Sequence, residues 1–215
     1  MPPQLPASTE ARAKRAIARS LATLAAKDEA VAEWVSKIGL PAPRIRTRGF
    51  EGFMRAIVAQ QVSVAAASGI WRKLEAGLGE IEPEAVLACD DGRLRSLGLS
   101  RQKTSYVRGL AQAVVTGTLD FDALHKMPDE AAIEEITRLK GLGRWSAEIY
   151  LLFAMQRPDV WPANDLALQE AMRVLKNLRS RPDEKRLRKL GETWRPHRSA
   201  GALFLWHVYH HVKGR

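Results

Sequence analysis

"LKGLGRWSAEIYLLFAMQRPDVWPANDLALQEAM", residues 139–172, decides how this chain is interpreted. Its first segment places Gly141 and Gly143 two residues apart, directly before an apolar run. Glycine adopts positive φ angles and lets another backbone approach closely, so the pair predicts a tight turn between two helices. Backbone N–H groups at the start of the second helix would then suit an anion such as a DNA phosphate. A plain helical corner has the same pattern, so this segment alone assigns no function.

The second half of the stretch, "WPANDLALQEAM", places Asn164 and Asp165 ahead of an apolar helical pattern. The ordinary role of such a pair is to cap the helix. A helix N-terminus also favours an ionised carboxylate, and a carboxylate held in a cleft stabilises the sugar cation that develops when a glycosidic bond breaks. Asp165 is therefore a candidate for capping and for catalysis.

The composition indicates a globular protein with a polyanionic partner. The 215 residues carry a formal net charge of +10, and 46% are hydrophobic, which is enough for a buried core. Basic residues are spread along the chain, which predicts an extended surface for a polyanion; the alternative for each basic run is a solvated helix face. The single cysteine, Cys89, excludes an intramolecular disulfide, a cysteine-rich zinc site and a four-cysteine iron–sulfur cluster.

The sequence has no apolar run long enough to span a membrane, and its start lacks the apolar segment of a secretory signal. We therefore expect a soluble, cytoplasmic protein without a membrane partner.

Apolar residues recur at three- and four-residue spacing almost throughout, and strand-like alternation is missing, so the predicted fold class is all-α. Helices are predicted near residues 9–25, 28–38, 50–62, 64–78, 83–97 (with a break), 101–117, 128–138, 143–156, 165–177, 182–193 and 196–212. A Pro-rich, basic segment near residues 41–48 predicts a domain boundary. We expect two helical lobes with an active-site cleft between them: a terminal lobe of residues 1–48 plus 166–215, and a central lobe of residues 49–165.

The hairpin "LKGLGRWSA" and the downstream "PANDLAL" resemble two segments of the helix-hairpin-helix DNA glycosylases, within the AlkA-like 3-methyladenine DNA glycosylase II group. The stretches "FEGFMRAIVAQQVSVAAA", "SLGLSRQKTSYVRGLA" and "WRPHRSAGALFLWH" agree in order, so the likeness extends from about residue 50 to 207. It places the helix-hairpin-helix at about residues 132–156. It implies a base excision repair enzyme that flips alkylated bases, 3-methyladenine and also 7-methylguanine, out of duplex DNA and hydrolyses the N-glycosidic bond.

The resemblance also implies roles for individual residues. Asp165 would be the catalytic carboxylate, and Trp145, Trp206 and Ile149 would line the base pocket. Ile149 stands where the group's best-known member has a tyrosine, so the base preference stays open. Gln61 would be the side chain that fills the gap left by the flipped base, in place of a leucine.

Four hairpin residues, Gly141, Gly143, Arg144 and Ser146, would bind DNA. The family often binds a monovalent cation through hairpin carbonyls, whereas no required cofactor and no side-chain metal site are implied. His207 and His211 share a helix face, but no acidic third ligand accompanies them. The resemblance gives Arg198 and Ser199 a supporting role near the pocket.

Bifunctional members of the superfamily carry a nucleophilic lysine two residues after the second hairpin glycine. Trp145 occupies that position and Lys140 lies before the hairpin, which predicts a monofunctional glycosylase. Two alternatives stay open: a non-catalytic helix-hairpin-helix DNA-binding module, and a bifunctional glycosylase/lyase. We expect a monomer that acts on double-stranded DNA at the nucleoid.

Overall fold

The computed structural model describes residues 7–214, and this part of the chain is helical with no β-strand. The predicted all-α class is confirmed. The helices, in chain order, are α1 Ala7–Ala25, α2 Glu29–Ile38, α3 Gly49–Ala59, α4 Val64–Leu78, α5 Pro83–Ala88, α6 Asp91–Ser96, α7 Arg101–Val115, α8 Phe121–Lys126, α9 Asp129–Thr137, α10 Arg144–Phe153, α11 Leu166–Leu175, α12 Glu184–Gly191, a 3₁₀ turn Glu192–Trp194, and α13 Arg198–Val212. Among the residues described, none of these helices is both long and apolar enough to cross a membrane.

The helices form two compact units. The terminal unit contains the chain up to Ile45 and from Gln156 onward, and the central unit is Arg46–Met155. The second boundary therefore lies after Met155, whereas the sequence placed it after Asp165. The segment after Met155 belongs to the terminal unit because Ser199 holds it: the Ser199 hydroxyl donates to the carbonyl of Arg157 at 2.6 Å and accepts from the N–H of Val160 at 2.9 Å.

Helix α13 forms the centre of the terminal unit. Its residues from Ser199 to Val208 are buried except His207, and it packs mainly against α11 and also against α1 and α2. A helix buried on most sides is apolar all round, which explains the "AGALFLW" run. The ring of Trp194 lies directly against Gly201, where a Cβ atom would come within 2.4 Å of it.

The start of α2 is fixed by a partly buried ion pair within the same unit. Asp28 caps α2, and its carboxylate accepts two hydrogen bonds from the Lys176 ammonium, at 2.5 and 2.6 Å, and one from the Trp194 indole at 2.9 Å. Burial acts to raise the pKa of Asp28, but the hydrogen bonds from Lys176 and Trp194 outweigh it and hold the pKa below its ordinary value.

The lowered pKa of Asp28 predicts an acid-sensitive contribution to stability. Because the folded pKa lies below the unfolded one, the stabilisation is fully present above the unfolded value of about 3.9 and is lost as the pH falls through the folded pKa. We expect Lys176→Met to lower the free energy of unfolding by about 1–3 kcal/mol at pH 7, and by less at pH 3. Urea unfolding at both pH values measures this, with the exposed Lys189→Met as control. An equal loss at both pH values would contradict it.

The central unit is built around α7, which packs against α5 and α3, while α9 packs against α10. Three rings join α3, α8 and α10: Phe53 stacks on Tyr150 with 3.8 Å between the ring centroids and on Phe121 with 6.0 Å. Stacked aromatic rings bury large areas, so this cluster fixes α10 against α3.

Several helix boundaries differ from the sequence prediction for local reasons. The segment predicted at 83–97 is two helices, α5 and α6, because the Asp90 side chain accepts from the N–H of Arg93 at 2.6 Å and starts a new helix. Helix α3 ends at Ala59 rather than residue 62 because Gln61 has a φ of +53°, in the left-handed region. The six-residue helix α8 was not predicted, although Asp120 caps it.

Candidate functional site

The hairpin between α9 and α10 depends on one glycine more than on the other. Gly141 has a φ of +92°, and a Cβ atom there would lie 2.3 Å from the ring of Tyr106 on α7. Gly143 has a φ of −87°, and no atom of the described residues lies within 4 Å of the position that its Cβ would take. Only Gly141 therefore needs to be glycine for the fold, and the space at Gly143 is open to a ligand.

The N-terminus of α10 has the features of an anion site. Gly143 occupies the N-cap position, and no side chain caps the helix there. The N–H of Ala147 bonds to the carbonyl of Gly143 at 3.1 Å, so the N–H groups of the preceding residues lie ahead of the helical ladder. Such groups, together with the positive end of the helix dipole, favour a phosphate.

Arg144 follows this N-cap and pairs with two glutamates of the hairpin. Its guanidinium donates to both Glu130 oxygens, at 2.6 and 2.9 Å, and to Glu148 at 3.1 Å. Hydrogen bonding to Glu130 raises the pKa of Arg144. Glu148 is 1% exposed, so Arg144 compensates a buried carboxylate and joins α9 to α10. Its predicted contact with DNA would compete with these ion pairs.

The central unit has a pocket of about 320 Å³, within the range of small-molecule sites. The described residues that line it include no carboxylate and are polar, aromatic or apolar: Arg46, Thr47, Gly52, Ala56, Ala59, Gln60, Gln61, Trp145, Ser146, Ile149, Tyr150 and Ala154. The pocket therefore brings together four residues that the sequence assigned to the site: Gln61, Trp145, Ser146 and Ile149.

The walls of this pocket differ in how firmly they are held. Trp145 is 43% exposed, whereas Ile149 is 4% exposed. Tyr150, which the sequence did not assign to the pocket, is fixed by its stack on Phe53 and by the N–H of Gly49, which donates to its hydroxyl at 2.8 Å. Burial raises the pKa of Tyr150, so its hydroxyl stays protonated.

Asp165 and Trp206 are brought together in the terminal unit. Oδ1 of Asp165 accepts the N–H groups of Ala167 at 2.9 Å and Leu168 at 3.0 Å, so Asp165 caps α11 as predicted. The buried indole of Trp206 donates to the same oxygen at 3.3 Å. These three donors hold the carboxylate of Asp165 in one orientation at the N-terminus of α11.

The loop that carries Asp165 is fixed by its neighbours. The Trp161 indole donates to the carbonyl of Leu187 at 3.0 Å, and the buried Gln169 amide donates to the carbonyl of Ala163 at 3.0 Å. These bonds keep the backbone ahead of Asp165 in one conformation, as a positioned carboxylate requires.

Arg198 and Ser199, to which the resemblance gave a supporting role, hold the loop after Met155. The Arg198 guanidinium forms a two-pronged pair with Asp159, with both N–O distances 2.9 Å. A paired guanidinium is held in one orientation, so both residues support the segment that leads to Asp165.

The histidines do not form a metal site in the described part of the chain, where no group of three or more His, Cys, Asp or Glu residues is placed to hold an ion. A ring nitrogen of His207 lies 3.0 Å from the carbonyl of Ile38, and His211 packs edge-on against Trp34. Both contacts are structural.

Comparison with known proteins places these features in one family. The model of the HhH-GPD superfamily base excision DNA repair proteins matches residues 54–196. DNA-3-methyladenine glycosylase 1 of Schizosaccharomyces pombe is 31% identical over 161 residues, which are 73% of this chain and 71% of that protein.

Two solved structures are similar to this protein over 91% of its chain. The structure of DNA-3-methyladenine glycosidase from Bacillus halodurans has a TM-score of 0.81 at 29% identity and covers 91% of each chain. The 3-methyladenine DNA glycosylase of S. pombe in complex with abasic DNA has a TM-score of 0.78 at 28% identity, covering 91% of this chain and 97% of that one. The chain belongs to the HhH-GPD superfamily of base excision DNA repair proteins.

Proposed function

We propose that this protein is a DNA glycosylase of the 3-methyladenine type, which hydrolyses the N-glycosidic bond of alkylated bases in base excision repair. The observation that carries the proposal is Asp165, a helix-capping carboxylate with the Trp206 indole on the same oxygen. A module that only binds DNA needs the hairpin but has no use for a carboxylate positioned in this way. The relatives named DNA-3-methyladenine glycosylase support the substrate class.

Asp165 supplies the negative charge that the reaction requires. As the bond between C1′ and the base nitrogen breaks, its electron pair leaves with the base, and positive charge develops on the sugar. The carboxylate stabilises that charge, and the oxygen of a water molecule then bonds to C1′ while its proton passes to bulk water. A base alkylated at a ring nitrogen is cationic and leaves as a neutral molecule, so it needs no general acid.

The pocket of the central unit is proposed to take the flipped base. The partly exposed indole of Trp145 suits a cationic purine through cation–π attraction. Ile149 supplies an apolar wall, and Gln61 fills the gap left in the duplex. Among the described residues of the lining, Arg46 alone is permanently charged, and its positive charge repels a cationic base. Its guanidinium lies over the ring of Phe153, 5.2 Å from the centroid.

Duplex DNA is the partner of this protein, and its phosphates are proposed to bind at Gly143, Arg144 and Ser146.

A monovalent cation on hairpin carbonyls stays a prediction. The carbonyl of Leu139 already accepts from the N–H of Leu142, and that of Gly141 accepts from the Gln60 amide, so each has one lone pair left for a cation. A monomeric state and a location at the nucleoid also stay predictions.

The experiment that tests the proposal is release of methylated purines from alkylated duplex DNA. Single-turnover excision is followed by alkali, which cleaves the abasic sites. We expect 3-methyladenine to be released, with 7-methylguanine measured in the same reaction. Binding to the duplex without release of any methylated base would refute the glycosylase proposal and favour the non-catalytic module.

The absence of a lysine at position 145 predicts a monofunctional enzyme. A bifunctional glycosylase forms a Schiff base between a lysine amine and the sugar, which borohydride reduces to a stable covalent adduct. We expect no adduct with this protein, and strand cleavage only after added alkali. The matched variant is Trp145→Lys, which places an amine at the family's nucleophile position; trapping by the unmodified protein would contradict the prediction.

A further inference from the structure

The turn between α3 and α4 is tied to the hairpin by a side chain with no assigned role. Gln60, half-buried, donates from its amide nitrogen to the carbonyl of Gly141 at 2.8 Å. The next residue, Gln61, is exposed and has the left-handed φ of +53°. One residue of the turn is therefore held by the hairpin, while the following residue is presented to solvent.

Two side chains of helix α7 contact the same region: Lys103 contacts the end of α3, and Tyr106 contacts the hairpin. The Lys103 ammonium donates to the carbonyl of Val58, near the end of α3, at 2.8 Å. A cation is favoured at a helix C-terminus, and burial lowers the pKa of Lys103, as expected for an ammonium taken partly out of water. One turn along α7, the ring of Tyr106 lies against Gly141, and its hydroxyl accepts from the Gln102 amide at 2.5 Å.

We propose that Gln60, Lys103 and Tyr106 form a brace that fixes the turn carrying Gln61 relative to the phosphate-binding hairpin, so that Gln60 is a positioning residue for the wedge. The inference rests on the proposed function, because the wedge role of Gln61 comes from it.

The physical reason is that a wedge works only at a defined depth in the base stack. Gly141 is contacted by the Gln60 amide through its carbonyl and by the Tyr106 ring at its Cα, so the hairpin turn cannot shift without moving at least one of them. A phosphate bound at the start of α10 therefore also sets the position of residue 61. Without the Gln60 bond, the hairpin would still bind DNA, but the turn would lose its fixed position.

The test uses a duplex with a tetrahydrofuran abasic analogue opposite 2-aminopurine, whose fluorescence reports the stacking that wedge insertion changes. The main variant is Gln60→Met, which keeps the length of the side chain and removes the donor. We expect its affinity for this duplex to fall about fivefold to tenfold, with a smaller fluorescence change, as for one lost hydrogen bond. Its affinity for undamaged duplex should stay within about twofold, since phosphate binding there does not involve the wedge.

Two further variants separate positioning from general destabilisation. Gln112→Met, at an exposed glutamine of α7 outside the brace, should behave as the unmodified protein. In a Gln61→Ala background, Gln60→Met should cause no further loss, because the side chain that it positions has been removed.

If Gln60→Met does not fold, Lys103→Met removes the other side-chain contact near this turn and should weaken abasic-duplex binding in the same selective way.

Three outcomes would overturn the brace: unchanged abasic-duplex binding in Gln60→Met, equal losses on abasic and undamaged DNA, or an undiminished effect in the Gln61→Ala background. None of these measurements requires excision. A protein that releases no methylated base would therefore refute the glycosylase proposal while the fluorescence result still decides whether the brace exists.

Discussion

Asp165→Asn is expected to lower single-turnover release of methylated purines by on the order of a hundredfold or more, the effect of removing one preorganised electrostatic group. The variant loses the negative charge that stabilises the sugar cation. Asparagine is as good an N-cap as aspartate, and its carbonyl oxygen can still accept from Ala167 and Leu168. The fold and the affinity for undamaged DNA should therefore be retained.

A second variant, Asp165→Ala, separates catalysis from capping. It should lose activity to the same extent and also lose about 1 kcal/mol of the free energy of unfolding, because the cap of α11 is gone. Urea unfolding and excision, measured on both variants, distinguish the two roles. Normal excision by Asp165→Asn would show that another carboxylate does the chemistry.

Gly141→Ala is expected to be strongly destabilising, by about 2–4 kcal/mol. Alanine rarely adopts the positive φ of this position, and its Cβ atom would overlap the ring of Tyr106. Because the hairpin turn would have to shift, DNA binding should fall as well. Urea unfolding measures the first effect, and the affinity for duplex DNA measures the second.

Gly143→Ala is the matched control for that prediction. Its φ suits alanine and the space around it is open, so the free energy of unfolding should fall by no more than about 1 kcal/mol, the cost of a poorer N-cap. DNA affinity should nevertheless decrease, since the added methyl group occupies the space proposed for a phosphate. Equal destabilisation by the two substitutions would contradict the distinction between the glycines.

Local signals made the main elements predictable. The Gly141 to Gly143 turn, the cap at Asp165 and the apolar periodicity of most helices each depend on a few adjacent residues, and these were recovered. Helix α8 was missed because six residues are too short to show periodicity, although Asp120 marks its start. The end of α3 was predicted at residue 62 rather than Ala59 because no residue type in "AQQVS" indicates the left-handed backbone at Gln61.

Site residues that depend on distant contacts were not predictable. Tyr150 was not assigned to the pocket of the central unit, yet it lines that pocket together with its neighbour Ile149. Gln60 received no role from the sequence, and its bond to Gly141 crosses 81 positions of sequence. Arg144 was assigned to DNA, and only the structure places it between Glu130 and Glu148.

By itself, the sequence determined the all-α class, the hairpin, the capping carboxylate and, through the order of its motifs, the family, because each of these depends on residue types at short fixed spacings. The tertiary structure alone decided which glycine must be glycine, which indole bonds to Asp165 and which side chain links the wedge turn to the hairpin. Those facts depend on contacts that Tyr106, Trp206 and Gln60 make with residues far away in the sequence. Such long-range contacts are set by the packing of whole helices, which no local pattern encodes.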